Sequence, residues 1–268
     1  MTPQTRFSAH LGYLYTELPL VERVAAAARD GFTAIEHPQP FAIPTGQMKA
    51  LLSEHQLVFA QLAGGVGDSA KGEKGLAALP GRELDFREGF SRSLDYALAV
   101  GSTLVHPMAG VPAPADAERW TDVYMENIRF SVERSAGTPV TVLIEALSHA
   151  AVPGYAISTL DAATEVQDVF GPGNVSLLLD TFHARANSVD ATAWLAENAF
   201  RVRHVHIADH PGRHEPGTGS FDFDGFLQEL AEQKFEGAIG FEYVPSTTTI
   251  ESVAFLSEWK ARTSRSGN

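Results

Sequence analysis

The chain contains no cysteine, so disulfides and thiolate metal sites are both excluded. It is also short of positive charge: 20 Lys and Arg stand against 33 Asp and Glu, a formal charge of −13. A nucleic-acid backbone calls for a basic face, so that class of partner is disfavoured, although one or two local cations can still hold a small anionic substrate. No apolar run approaches the roughly 18–20 residues of a membrane span. The M-T-P-Q-T-R start lacks the apolar segment of a signal peptide. A soluble, cytoplasmic protein is therefore expected. Three nucleotide and nucleophile signatures are absent too: G-x-G-x-x-G after the first strand, Walker A, and a strand-to-helix G-x-S-x-G. Dinucleotide binding, phosphoryl transfer and acyl transfer lose their usual warrants.

What is present is alternation. Short apolar runs at 7–11, 33–36, 57–62, 103–106, 140–145, 175–180, 202–207 and 238–242 read as strands. Between them lie helical patterns beginning near Pro19, then 45–54, 82–100, 115–136, 159–170, 191–198, 223–233 and 250–262. Eight strands alternating with helices predict a (β/α)8 TIM barrel. With 268 residues and no linker or charge block, one domain over 1–268 is expected. A doubly wound open sheet is the rival, and it lacks its glycine fingerprint. The stretch 63–81, with glycines at 64, 65, 67, 72 and 75, is expected to be a long loop that closes over a substrate.

Chemistry gathers at the strand ends. Glu145, Asp180, His206 and Glu242 close strands five to eight, each about one βα unit of roughly 30 residues from the next. In a barrel such residues converge on the C-terminal mouth, where barrel active sites lie. Singly each has a plainer reading: a strand-end carboxylate often caps the next helix, and a strand histidine is often a satisfied core residue. Together, three carboxylates in a dry mouth repel one another unless a cation sits between them. Oxygen ligands with one imidazole suit Mn²⁺, Mg²⁺ or Co²⁺. His183, three residues past Asp180, is a candidate for substrate contact. Arg213, in the P-G-R turn after strand seven, can bind a carboxylate in two-point fashion. Glu215 is expected to pair with Arg213 or cap the turn. His10, Glu36 and His106 end strands one, two and four and can line the same mouth. Glu145 and Glu242 across a divalent ion can take a proton from one carbon and deliver it to the next. That is aldose–ketose isomerisation, or epimerisation beside a carbonyl; a metal-dependent hydrolase is the other option.

Several motifs carry a resemblance: Y-T-E-L-P at 15–19, G-F-T-A-I-E-H at 31–37 and G-E-K-G-L-A-A-L-P-G-R-E at 72–83. I-E-A-L at 144–147, L-D-T-F-H at 179–183, H-V-H-I-A-D-H-P-G-R-H-E-P-G-T-G at 204–219 and F-E-Y at 241–243 extend it nearly end to end. On these the chain resembles the hydroxypyruvate isomerase family of the xylose isomerase-like barrels. The resemblance implies a divalent metal on Glu145, Asp180, His206 and Glu242, with the two glutamates as the acid–base pair. It also implies conversion of hydroxypyruvate to tartronate semialdehyde, or of a 2-oxo-tetronate. His206 departs from the family's usual Gln and matches the ketose 3-epimerases instead, so epimerisation of a neutral sugar is the alternative. Thr181 and Phe182 stand where Ile and Tyr are commoner. For an acid substrate, Arg213 with Lys71, Lys74 or Arg82 would supply the cation, and His106 and Glu215 join His183 as substrate-contact candidates. The superfamily's endonucleases at abasic DNA fit poorly with the acidic charge. Pairing into a homo-oligomer is common in such barrels, but no feature marks an interface.

Overall fold

The computed structural model describes residues 6–265. Among these described residues there are nine strands: β1 Arg6–His10, β2 Ala34–Glu36, β3 Val58–Phe59, β4 Leu62–Gly64, β5 Leu104–Pro107, β6 Thr141–Glu145, β7 Val175–Asp180, β8 Val202–Ile207 and β9 Ala238–Phe241. The same residues hold ten α-helices, none between β3 and β4 and two each after β7 and β9: α1 Leu20–Arg29, α2 Thr45–Glu54, α3 Glu83–Val100, α4 Trp120–Ser135, α5 Leu160–Phe170, α6 Thr181–Ala186, α7 Ala191–Asn198, α8 Phe223–Glu232, α9 Thr249–Ser252 and α10 Leu256–Arg265. The strands lie in one sheet in the order β3-β2-β1-β9-β8-β7-β6-β5-β4. First and last strands pair in parallel, Arg6 against Ala238 through Ala9 against Phe241. Sequential parallel neighbours with the last strand beside the first is the strand order of a (β/α)8 barrel. Parallel strands covered on both faces read as unbroken apolar runs, and all six residues of β7 are buried.

By contacts the chain divides into two compact units: Met1–Glu36, Ala50–Val58 and Leu179–Asn268, and His37–Lys49 with Phe59–Leu178. The first unit is centred on Phe241, whose ring meets Phe7, Phe32, Phe255 and Trp259. The second is centred on α3, where Phe86 packs on Phe90 and Phe90 on Phe130.

The structure departs from the sequence reading at four places. The run 57–62 is two strands, broken at Ala60, whose carbonyl accepts from the Ser102 hydroxyl at 3.2 Å. The segment 63–81 is not an open loop throughout. Gly64 belongs to β4, Leu76, Ala77 and Ala78 are buried, and the amides of Ala77 and Ala78 donate to the carbonyls of Met108 and Ala109 at 3.1 and 2.8 Å. Gly75 allows that approach, since a Cβ there would stand 2.3 Å from the Met108 carbonyl oxygen. The expected helix 115–136 opens with a 3-10 turn, Pro114–Asp116, before α4 begins at Trp120. The last helix is interrupted, and Thr248 and Glu251 form a capping box on its first piece. Among the described residues no helix is long and apolar enough to cross a membrane.

Candidate active site

Strand β8 carries R-H-V-H-I, and the two-residue period of a strand puts His204 and His206 on one face. Both are buried, as is Glu36 at the end of β2. One carboxylate serves both rings: Glu36 Oε2 lies 2.8 Å from His204 Nε2, and Oε1 lies 2.9 Å from His206 Nε2. The Ser8 hydroxyl donates to Oε2 at 3.0 Å. Burial alone pushes the Glu36 pKa up, but the two imidazoles outweigh it and the group is held below its usual range. Gly240 is opposite His206 in the β8–β9 register. A Cβ there would stand 2.4 Å from Glu36 Oε1 and 2.8 Å from His206 Cδ2, so only glycine fits against this clamp.

With Nε2 turned to Glu36, His206 presents Nδ1 to Glu242 Oε2 at 3.4 Å and to Asp180 Oδ2 at 4.0 Å. Asp180 uses its two oxygens differently. Its Oδ1 accepts the His183 amide at 2.9 Å and caps α6, while Oδ2 faces His206 and Arg213, the latter at 3.8 Å. Glu242, just past β9, is paired with the Arg213 guanidinium and lies 3.4 Å from His10 Nε2. Burial pushes its pKa up, yet Arg213, His206 and His10 more than offset that, so the carboxyl is held well below its usual range. Burial lowers the pKa of His10, a shift its carboxylate neighbours only partly oppose.

Arg213 adopts a left-handed φ of 57°. Its guanidinium sits between the Tyr13 and Phe182 rings, 5.2 and 5.3 Å from their centroids, which fixes the plane it presents. Its carbonyl accepts the Val244 amide at 2.8 Å. Glu215 does not pair with Arg213: both its oxygens are taken by Ser246, through the backbone amide at 3.0 Å and the hydroxyl. It clasps two loops. In the second unit, Glu145 ends β6, buried, with His106 Nδ1 3.7 Å from its Oε2. The β6–β7 register sets Glu145 beside Leu178, two residues before Asp180. Arg82 is engaged by Glu73 at 2.7 Å and Asp85 at 2.5 Å, and Lys71 lies 3.3 Å from Asp68. Arg82 and Lys71 thus each face a neighbouring carboxylate on the surface.

A divalent cation fits this arrangement. Asp180, His206 and Glu242 each offer one ligand atom within 4.8 Å of the others. Two carboxylates and an imidazole, with no thiolate, suit a hard or borderline ion such as Mn²⁺, Mg²⁺ or Co²⁺. The neighbouring group of Glu36, His204 and His206 also meets that distance. Its nitrogen–oxygen contacts of 2.8 and 2.9 Å set one carboxylate against both rings, a clamp on the Nε2 side of His206. Sequence reasoning gave Glu36 and His10 no role. Their one signal was an ionisable side chain closing an apolar strand, with His10 opposite Glu36 in the β1–β2 register.

Residues 24–259 match the family described as the xylose isomerase-like TIM barrel. The chain is 35% identical to 2-oxo-tetronate isomerase of Cupriavidus necator over 96% of its own length and 99% of that protein's. It is 30% identical to hydroxypyruvate isomerase of Escherichia coli, over 95% and 99%. Among solved structures, AP endonuclease, family 2 from Brucella melitensis superposes with a TM-score of 0.89 at 32% identity, covering 95% of this chain and 98% of that one. D-allulose 3-epimerase from Methylomonas sp. shares the fold, with a TM-score of 0.77 at 20% identity over 97% and 98% of the two chains. With the strand-end carboxylates, the β8 histidines and the P-G-R loop all in place, the chain belongs to the hydroxypyruvate isomerase family of xylose isomerase-like TIM barrels.

Proposed function

We propose that the protein is a metal-dependent isomerase of a small hydroxy-oxo acid, of the hydroxypyruvate or 2-oxo-tetronate type, working in the cytoplasm. The observation that carries this is a half-buried Glu242 set against His206, Asp180 and a ring-clamped Arg213, which with His10 hold its carboxyl well below the usual range. Asp180, His206, Glu242 and Glu145, the residue closing β6, are assigned as metal ligands. A divalent cation bound there would supply positive charge to the oxyanion that develops on the substrate carbonyl oxygen. Arg213 receives the substrate carboxylate on its planar fork. One glutamate of the pair Glu145 and Glu242 removes the proton from the hydroxyl-bearing carbon. The other returns a proton to the former carbonyl carbon, while the hydroxyl proton passes to the former carbonyl oxygen. His183 and His106 are assigned to substrate oxygens, beside Asp180 and Glu145 respectively. Glu215 is assigned to holding the Arg213 loop.

The second reading is a ketose 3-epimerase acting on neutral sugars, favoured by His206 at the third ligand position. Action on a DNA backbone is opposed by the charge of −13. The deciding assay runs hydroxypyruvate, 2-oxo-tetronates and neutral ketoses in deuterated water with Mn²⁺ or Mg²⁺. Turnover of an acid, with deuterium entering beside the carbonyl, is expected. Turnover of neutral ketoses alone would replace the acid reading with the epimerase.

Glu36 bears on metal affinity. Glu36→Gln keeps the shape but offers His206 only a neutral amide, and outer-shell partners of this kind are worth about 10–100-fold in metal affinity. Calorimetric titration with Mn²⁺ is expected to show a loss of that size. An unchanged affinity would show that Glu36 does not orient the ligand.

A further inference from the structure

We propose that Asp209 is the residue that positions Arg213, acting as the anionic centre around which the loop after β8 is wound. The inference rests on the assignment of Arg213 to the substrate carboxylate. Asp209 immediately follows Ala208 at the end of β8 and is 1% exposed. Its carboxylate accepts four backbone amides, two on each oxygen. Oδ1 takes His210 at 2.8 Å and Phe221 at 3.1 Å, and Oδ2 takes Gly217 at 2.9 Å and Gly219 at 2.8 Å. Its own backbone closes the turn that carries the arginine: the Arg213 amide donates to the Asp209 carbonyl at 3.0 Å, and the Asp209 amide donates to the His214 carbonyl at 2.9 Å.

Both carboxylate oxygens are thus occupied by the loop, which separates Asp209 from the ligand set although it lies three residues past His206. The loop forms a concave nest of N–H groups of the kind that binds anions, and the chain fills it with its own side chain. Gly219 is part of the fit, since a Cβ there would stand 2.5 Å from Asp209 Oδ1 and 2.4 Å from the His210 carbonyl oxygen. Arg213 itself holds a left-handed φ of 57°, which a side-chain-bearing residue keeps only where its surroundings impose it. Asp209 imposes it from inside the loop, and the Val244 amide on the Arg213 carbonyl does so from outside. The outcome is a guanidinium plane fixed between Tyr13 and Phe182.

Asp209→Asn tests this, because one oxygen becomes an NH₂ that faces two N–H donors and the nest loses half its anchor. For an acid substrate, KM is expected to rise by about 10²-fold, the scale of an ångström-sized misplacement of a binding group. The fall in kcat should be much smaller and Mn²⁺ affinity little changed. In an Arg213→Ala background, Asp209→Asn should add nothing further to KM, whereas a merely structural role would add its full effect. Trypsin gives a readout that needs no substrate: the Arg213–His214 bond is expected to resist cleavage in the parent and be cut in Asp209→Asn before the rest of the chain. Should Asp209→Asn fail to fold, Gly219→Ala, which crowds the same carboxylate, carries the same measurements. Unchanged KM together with unchanged cleavage at Arg213, or additive KM effects in the double variant, would overturn the proposal. If no acid is turned over by the parent protein, the assignment of Arg213 to a substrate carboxylate fails, and the trypsin comparison alone decides whether Asp209 sets the arginine.

Discussion

Glu242→Gln is expected to lower kcat by about 10²–10⁴-fold, the usual worth of a positioned acid–base group. The amide preserves the volume and one acceptor oxygen but cannot carry the proton. It also leaves the Arg213 guanidinium beside a neutral group where the structure pairs it with a carboxylate. Glu145→Gln should behave alike, since a proton moved between adjacent carbons needs a carrier at each. The measurement is kcat at saturating Mn²⁺, alongside exchange of the substrate C–H with deuterated water and a circular dichroism spectrum that confirms the fold. If either variant, metal-loaded, retains parent turnover, the two-glutamate mechanism is wrong.

Arg213→Ala should reduce kcat/KM for a hydroxy-oxo acid by about 10²-fold, since hydrogen bonds to a charged group are worth about 1.5–3 kcal/mol. A neutral ketose, having no carboxylate, should lose far less. A second effect follows from the electrostatics. After burial, which pushes the Glu242 pKa up, Arg213 is the largest influence, and it pulls the pKa down. Removing the guanidinium therefore raises the proton affinity of Glu242, so the acidic limb of the kcat/KM profile should move to higher pH. Equal losses for acid and neutral substrates would mean that Arg213 supports the site without recognising charge. An unmoved acidic limb would mean that Glu242 is not the base whose ionisation the profile reports.

Much of the fold was legible before any coordinates. Buried parallel strands read as near-continuous apolar runs, so β7 announced its own limits; β8 was marked by Val202, Val205 and Ile207, and α2 and α7 fell where their helical patterns ended. The four ionisable strand ends stood out because each interrupts an apolar run. Boundaries failed where long-range bonds decide them. The Ser102 hydroxyl breaks the third run at Ala60, and Met108 and Ala109 tie down half of a stretch that reads as loop. The short helix α6 has no apolar period of its own to announce it; it starts on Asp180, whose Oδ1 accepts the His183 amide while Oδ2 faces His206.

By itself the amino-acid sequence determined the alternation of strands and helices, the acidic and thiol-free character of the site, and which residues close the strands. Those properties are local, set by side-chain type and by periods of two and 3.6 residues. Only tertiary structure decided what the strand ends do. Glu36 became the clamp behind His206, Gly240 the clearance that clamp needs, Glu215 a clasp on Ser246 and Asp209 the centre of the arginine loop. Each role depends on which oxygen or ring nitrogen faces which partner across strands and loops far apart in the chain. Register and side-chain direction settle that, and residue order alone does not.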